Sequence, residues 1–271
     1  MDRNSPEFLI EETNQSLADT KVWLDVSAQF GPLVKPIITP RFVPSCTSEL
    51  MTGLAKLAKE YDVPVQSHLS ENHGEIDWVA SLHPESLNYT DVYYEHHLMG
   101  TVPTVMAHCI HLSDVEMDRM AETQTMVSHC PYSNVNLSSG IAPIRKLIER
   151  NIPIGLGSDI SGGHIVSMAK VLTEAIGLSK MKWAEVDPNY APLTLSEAFY
   201  MATKGGGQFF GHVGSFEKGY ELDALIIDDT SLFDPNERSL EERLERWLYV
   251  GDDRHIIERY VAGRVVPSPK G

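Results

Sequence analysis

Four residues able to carry out acid–base or metal chemistry lie at the ends of short apolar segments. They are His68, His108, His129 and Asp159. Imidazole is the commonest metal ligand in proteins, and a carboxylate can bind a metal or carry a proton. Nitrogen and oxygen ligands without thiolates suit Zn²⁺, with Fe²⁺ as the second choice, in a hydrolytic site. The spacing therefore indicates a metal-dependent hydrolase, with the site residues drawn from several segments.

Each of these residues, taken alone, also fits a structural role. His68 with Glu71 fits a metal ligand and a proton carrier, and equally a half-buried histidine beside a solvated glutamate at a helix start. Asp159 fits a ligand or the cap of a following helix. His108 fits a reactive or a core histidine, and His129 fits an ordered loop better than catalysis. The hypothesis of a shared site depends on three separate segments ending in such residues.

Strand-like and helix-like segments alternate around these residues. Apolar residues three and four positions apart predict helices, and short apolar runs predict strands. The predicted helices are 49–61, capped by Ser48, 113–122, with Ser113 and Glu116 as a capping box, and 141–150; the predicted strands are 36–39, 63–69, 104–108, 125–129 and 152–157. Alternation of this kind predicts a parallel sheet covered by helices, in a barrel or a doubly wound arrangement.

The distribution of polar residues favours the barrel. Catalytic residues of a (β/α)₈ barrel come from the ends of several strands, whereas a doubly wound sheet usually has a glycine-rich phosphate loop, and none follows a strand here. The stretch 205–207 consists of three glycines, which we interpret as a helix C-cap and turn. Five candidate strands are fewer than the eight of a complete barrel, so we expect a barrel that is truncated at its N-terminus.

The last part of the chain has a different pattern. Residues 224–227 predict a strand, 256–266 a hairpin around Ala262-Gly263, and 239–247 a charged, solvated helix. We predict that residues 1–211 form the partial barrel domain and that 212–271 form a small β appendage with a helix.

Composition excludes several classes of function. The 271 residues carry a formal net charge of −16, and no basic cluster suits a phosphate backbone or an acidic membrane. No apolar run is long enough to span a membrane, and no secretory leader is recognisable. The three cysteines, Cys46, Cys109 and Cys130, show no metal-knuckle spacing. We expect a cytoplasmic protein with reduced, packed cysteines.

Six motifs resemble those of the guanine deaminase family, within the amidohydrolase superfamily. The likeness follows the same order over nearly the whole chain and involves Pro40-Arg41-Phe42, Ser67-His68-Leu69-Ser70-Glu71-Asn72, Ala107-His108-Cys109, His129-Cys130-Pro131-Tyr132-Ser133-Asn134, Gly155-Leu156-Gly157-Ser158-Asp159 and Gly251-Asp252-Asp253-Arg254. The first and last of these motifs point to the guanine enzymes in particular, whereas the Ser-His-Leu-Ser-Glu and Gly-Leu-Gly-Ser-Asp elements are shared with related deaminases.

The resemblance implies zinc-dependent hydrolysis of guanine to xanthine and ammonia on a (β/α)₈ barrel with a small β-sandwich domain. It makes His68 and Asp159 the metal ligands, with Asp159 also able to accept a proton from the attacking water. Glu71 would carry protons to the purine ring and the leaving amine. His108 would lie beside the metal and the water.

The resemblance also implies the substrate contacts and the assembly. Arg41 and Phe42 would hold guanine, together with His68, Glu71 and Asp159. A guanidinium suits a purine carbonyl, and an aromatic ring stacks on a base. The family further suggests one zinc ion per chain and a homodimer, with no nucleic acid or membrane partner.

One family feature is missing from the sequence. The family carries an HxH motif on its first barrel strand that supplies two metal ligands, and this sequence contains no HxH. Three hypotheses therefore stay open. The chain is part of a guanine deaminase, it is an inactive product that binds a partner or forms oligomers, or it is an amidohydrolase acting on another purine, a pterin or a triazine.

Overall fold

The computed structural model describes residues 1–267, which contain ten α-helices and seven strands. The helices are α1 (Thr13–Ser27), α2 (Ser48–Tyr61), α3 (His73–Leu82), α4 (Tyr89–Glu95), α5 (Asp114–Thr123), α6 (Pro131–Asn136), α7 (Ile144–Glu149), α8 (Met168–Glu185), α9 (Leu195–Tyr200) and α10 (Leu240–Val250). The strands are β1 (Val65–Leu69), β2 (Thr104–His108), β3 (Met126–His129), β4 (Ile154–Leu156), β5 (Ala224–Ile227), β6 (Ile256–Val261) and β7 (Arg264–Val265).

The chain divides into two compact units. Unit 1 comprises Met1–Ser128 and Ala142–Pro153, and unit 2 comprises His129–Ile141 and the chain from Ile154 onward. Unit 1 contains α1 to α5, α7, β1, β2 and all of β3 except its last residue. Unit 2 contains the remaining elements.

Parallel strands form the centre of unit 1. In β1, Leu69 pairs with His108 of β2, so the carboxyl ends of these two strands lie side by side. β2 continues in parallel register with β3, where Ala107 pairs with Ser128. The predicted parallel α/β fold is thus confirmed. The predicted strand 36–39 is reduced to a single parallel bridge between Ile38 and Val65, because prolines at 36 and 40 lack the N–H groups of a longer ladder.

The helices of unit 1 follow the apolar periodicity, with corrections at their starts. α2 is capped by Thr47, whose hydroxyl accepts a hydrogen bond from the Leu50 N–H at 3.2 Å, and not by Ser48 as predicted. The capping box of Ser113 and Glu116 is present in α5. The helix predicted over 141–150 begins only at Ile144. Pro143 explains the late start, since a residue before proline is disfavoured in helical conformation.

The helical part of unit 2 corrects the interpretation of the three glycines. α9 continues through a π-helical turn at Met201–Gly205, and Gly206 keeps helical angles, so these residues are not a C-cap. A Cβ at Gly205 would lie 2.9 Å from the Tyr200 carbonyl oxygen and 3.0 Å from that of Ile154. Close approach of the backbone to other backbone groups is therefore the reason for glycine there.

The C-terminal elements of unit 2 match the sequence pattern. β5, β6 and β7 form an antiparallel sheet, and Ala262 and Gly263 make its tight turn with φ of 48° and 74°. α10 begins after a capping box of Ser239 and Glu242, and only Trp247 and Leu248 of its residues are buried. The predicted charged, solvated helix is confirmed.

Composition led to expectations about membrane-spanning helices and about the cysteines, and residues 1–267 bear on both. Within this range no helix is long and apolar enough to cross a membrane. The three cysteines all lie in the range, are buried and form no disulfide, as predicted.

Candidate active site

His68 lies at the carboxyl end of β1, and one of its ring nitrogens is held by a hydrogen bond. Its Nδ1 is 2.6 Å from the Arg41 carbonyl oxygen, which also accepts the His68 backbone N–H at 3.2 Å. Because a carbonyl can only accept, Nδ1 donates this hydrogen bond, and in the neutral ring Nε2 then carries a lone pair. A backbone carbonyl holding one ring nitrogen is the usual support of a metal-binding histidine.

His108 and Glu71 lie next to His68. The imidazole rings of His68 and His108 are stacked, with centroids 5.3 Å apart and planes 21° from parallel. The Nε2 atom of His108 is 3.9 Å from Oε2 of Glu71, and His108 is fully buried whereas Glu71 is partly exposed. The register of β1 with β2 brings these groups together. The structure thus unites three of the predicted site residues.

The backbone around this cluster adopts left-handed conformations at residues other than glycine. Ser70, His108 and Cys109 have φ of 49°, 71° and 51°. Such conformations are uncommon for residues with a Cβ and concentrate where function requires a special geometry. In this region the backbone folds back on itself: the Cys109 N–H donates to Leu69, and those of Ile110 and His111 donate to Ser70.

A buried polar network supports Glu71. One carboxylate oxygen of Glu75 accepts the Glu71 backbone N–H at 2.9 Å, and the other accepts the Tyr89 hydroxyl at 2.7 Å. Burial, followed by the neighbouring Tyr93 and Glu75, raises the pKa of Tyr89 well above its usual value, so the phenol stays a donor. The position of Glu71 is therefore fixed through its backbone.

A second branch of this network supports His68. The Tyr93 hydroxyl donates to the His68 carbonyl at 2.8 Å and lies 2.7 Å from the Ser67 hydroxyl. Burial raises the pKa of Tyr93. Sequence reasoning missed Glu75, Tyr89 and Tyr93. Only the spacing of the two tyrosines by four residues, which places them on one face of a helix, indicated a common role.

Arg41 and Phe42 follow the bridge residue Ile38 in the chain. Arg41 is exposed and Phe42 is half-buried, and the guanidinium carbon lies 5.8 Å from the Phe42 ring centroid. Trp78 of α3 meets Phe42 edge-on, with centroids 6.2 Å apart. An exposed cation beside two aromatic rings suits a flat, polar ring system such as a base. Trp78 was not predicted from sequence, although a half-exposed tryptophan on an amphipathic helix could have indicated it.

The remaining predicted residues, Asp159 and His129, belong to unit 2. Asp159 has φ of 42° and its carbonyl accepts the Gly163 N–H at 2.6 Å. The next helix, α8, has Ser167 as its N-cap, so the alternative role of Asp159 as a helix cap is wrong. His129 is buried, and its carbonyl accepts the Gly157 N–H at 2.9 Å.

Gly162, three residues after Asp159, shows how tightly this loop packs. A Cβ at Gly162 would lie 2.6 Å from both the Oδ2 atom of Asp159 and the Ser133 hydroxyl oxygen. Even the smallest side chain at 162 would displace the carboxylate. The glycine therefore holds the Asp159 carboxylate in a narrow space beside the hydroxyl of Ser133.

The donor groups can be compared with what a metal ion needs. His68 fits a ligand, because its protonated Nδ1 is held by a carbonyl and its Nε2 lone pair is available. Within residues 1–267 no group of three or more His, Cys, Asp or Glu side chains is arranged to hold a metal ion. The structure thus supports single ligands and does not assemble a complete ligand set.

Comparison with protein families shows to which family the chain belongs. The model of the family described as "Amidohydrolase family" matches residues 7–266. The chain belongs to the amidohydrolase family. This family is generally metal-dependent, which agrees with the histidine and carboxylate chemistry of the site.

Individual relatives of this amidohydrolase are guanine deaminases. It is 44% identical to guanine deaminase of Dictyostelium discoideum over 98% of its own length and 60% of the relative's. It is 40% identical to the Mus musculus enzyme over 98% and 62% of the two chains. The chain thus spans about 60% of the length of the curated relatives it matches.

A solved structure gives the same relationship in three dimensions. Guanine deaminase from C. acetobutylicum, solved with guanine bound in its active site, superposes with a TM-score of 0.95 at 52% identity. The match covers 98% of this chain and 63% of that one. The resemblance to guanine deaminases inferred from the motifs is confirmed.

Proposed function

We propose that this amidohydrolase catalyses hydrolytic deamination of guanine to xanthine and ammonia. The observation that carries the proposal is the meeting of His68, Glu71 and His108 at the ends of two adjacent parallel strands. Identity of 44% to a guanine deaminase over nearly the whole chain supports this substrate over other purines.

The reaction requires one bond to form and one to break. The oxygen of a water molecule bonds to C2 of guanine, and the bond from C2 to the exocyclic nitrogen then breaks. Glu71 accepts a proton from the water and delivers one to the amine, which leaves as ammonia. His108 is fully buried with its Nε2 atom 3.9 Å from the Glu71 carboxylate, and we place it beside the attacking water.

Two residues would hold the metal that the family implies. The family resemblance makes His68 and Asp159 the Zn²⁺ ligands, and we propose these roles for them; a backbone carbonyl holds Nδ1 of His68 and so leaves Nε2 for a metal. When bound, such an ion lowers the pKa of water toward neutrality. Asp159 can also accept a proton from the attacking water, the role that the resemblance gives it.

The substrate would be held by Arg41 and Phe42. The Arg41 guanidinium donates to the purine carbonyl, and the Phe42 ring packs against the purine plane. Trp78 holds the Phe42 ring edge-on and so orients it. His68, Glu71 and Asp159 complete the substrate contacts that we propose.

Several further features stay proposals. The family resemblance implies the completion of an eight-stranded barrel, a sandwich that includes β5 to β7 and a homodimer. The domain division at residues 211 and 212 and the cytoplasmic location rest on the sequence pattern. The three cysteines are buried and form no disulfide, which agrees with that location.

The experiment is a substrate panel on the purified, zinc-loaded chain. Guanine, adenine, a pterin and a triazine are compared for ammonia release in the wild type, Glu71→Gln and the control Glu49→Gln, which changes an exposed glutamate on α2. We expect guanine to be preferred, Glu71→Gln to lose at least about 100-fold in kcat and the control to match the wild type. Preference for another substrate, or an active Glu71→Gln, would contradict the proposal.

A further inference from the structure

A second histidine pair lies outside the proposed site. His73, the first residue of α3, and His111, in the segment between β2 and α5, have ring centroids 4.0 Å apart with planes at 37°. This separation is shorter than that between the rings of His68 and His108. The proposed reaction uses neither residue, so the contact needs its own explanation.

The backbone brings the two rings together from separate elements. The His111 N–H donates to the Ser70 carbonyl at 3.1 Å, which anchors the segment after β2 beside the end of β1. The side chain of Asn72 caps α3 by accepting the Glu75 N–H at 2.9 Å, and this fixes where His73 begins the helix. Both rings therefore project from constrained backbone positions.

Two imidazoles at this distance can share one metal ion. Ligand nitrogens at about 2.1 Å from a metal lie about 3.0–3.4 Å from each other. Two rings that bind one metal through nitrogen have centroids about 4.5–5 Å apart, so rings 4.0 Å apart would have to separate by about 0.5–1 Å. His73 is exposed and can rotate, and His111 is half-buried. A ring that uses one nitrogen in a hydrogen bond still has the other for a metal.

The surroundings favour a cation. Asp77 lies one turn after His73 on the same face of α3, is exposed and forms no hydrogen bond or ion pair among residues 1–267. The chain as a whole carries a net charge of −16. Among residues 1–267 no third His, Cys, Asp or Glu side chain joins this pair in a group that could hold a metal ion, so water would supply the other ligands.

We propose that His73 and His111 form an accessory site for a divalent transition metal, distinct from the proposed catalytic centre. Imidazole nitrogens suit Cu²⁺, Ni²⁺ and Zn²⁺, and the general order of affinity puts Cu²⁺ first. The proposal does not depend on guanine deamination, since it is tested by metal binding alone.

The test is a Cu²⁺ titration of the metal-free chain, followed by calorimetry and by electron paramagnetic resonance. The variants are His73→Ala and His111→Ala, and the control is His212→Ala, an exposed histidine of unit 2. We expect a bound Cu²⁺ whose spectrum shows nitrogen ligands, with Kd raised at least about tenfold in either variant and unchanged in the control. Circular dichroism of the metal-free variants checks that they are folded.

Two results would overturn the proposal. One is a wild-type chain and a folded His73→Ala variant that bind the same number of Cu²⁺ ions with the same affinity. The other is a loss of affinity in His212→Ala equal to that in the His73 variant, which would mean scattered binding to surface histidines. An Asp77→Asn variant measures the carboxylate's share, and we expect a smaller loss than for either histidine.

Discussion

Tyr93→Phe removes a single hydroxyl from beneath the proposed site. The ring is fully buried, and its hydroxyl donates to the carbonyl of His68 at 2.8 Å. Ser67 is not left without a partner, because its hydroxyl still donates to the Pro40 carbonyl at 2.8 Å. The Tyr89 hydroxyl is 3.4 Å from the same His68 carbonyl but is engaged with Glu75 at 2.7 Å. The variant therefore leaves one buried acceptor poorly satisfied.

The expected loss in the free energy of unfolding follows from this poorly satisfied carbonyl. An unsatisfied buried carbonyl costs about 1–3 kcal/mol, and partial replacement by Tyr89 places Tyr93→Phe at about 1–2 kcal/mol. The assay is urea denaturation followed by circular dichroism. The matched control is Tyr94→Phe, the same substitution at the next residue, where the ring is 41% exposed and packs under Arg119.

We expect Tyr94→Phe to change the free energy of unfolding by less than about 0.5 kcal/mol. Equal effects of the two substitutions would refute the reasoning, because the cost would then have no connection with the buried hydrogen bond. A loss in Tyr93→Phe with no change in its control would support a network that holds His68 by its backbone.

Two further predictions concern packing and pH. Gly205→Ala should destabilise the chain by about 1–3 kcal/mol, because its Cβ would meet the Tyr200 carbonyl. Gly177→Ala in α8 should be neutral or stabilising by up to about 1 kcal/mol, because a Cβ there would have no atom within 4 Å. Urea denaturation that finds Gly177→Ala less stable than Gly205→Ala would contradict this prediction. Burial, then the charge of Arg3, lowers the pKa of His83, so the unfolded chain binds the proton first and stability falls as pH drops below about 6.5. The loss between about pH 7 and pH 5 should be smaller in His83→Gln, and equal losses would show that His83 does not contribute.

Periodicity and capping chemistry predicted much of the fold from sequence. The strands at 104–108 and 224–227 and the capping box at Ser113 were correct because each depends on local residues. Errors arose where distant backbone decides. Residues 205–207 look like a helix end, but they stay helical because Gly205 packs against the carbonyl of Ile154, far away in sequence.

The same distinction applies to the candidate site. His68, Glu71 and His108 could be predicted because each lies at or just after the end of an apolar strand. The supporting residues Glu75 and Tyr93 could not, since their importance lies in bonds to backbone groups, and the sequence does not show which backbone groups they reach. The spacing of Tyr89 and Tyr93 by four residues indicated only a shared helix face.

The most direct test of hydrolytic deamination is the origin of the oxygen in the product. The zinc-loaded chain is incubated with guanine in ¹⁸O-labelled water, and the purine product is analysed by mass spectrometry. Attack of water on C2 predicts xanthine carrying one ¹⁸O atom, released together with one ammonia and absent with Glu71→Gln. Xanthine without the label, or a folded and metal-loaded chain that leaves guanine unchanged, would contradict the proposed function.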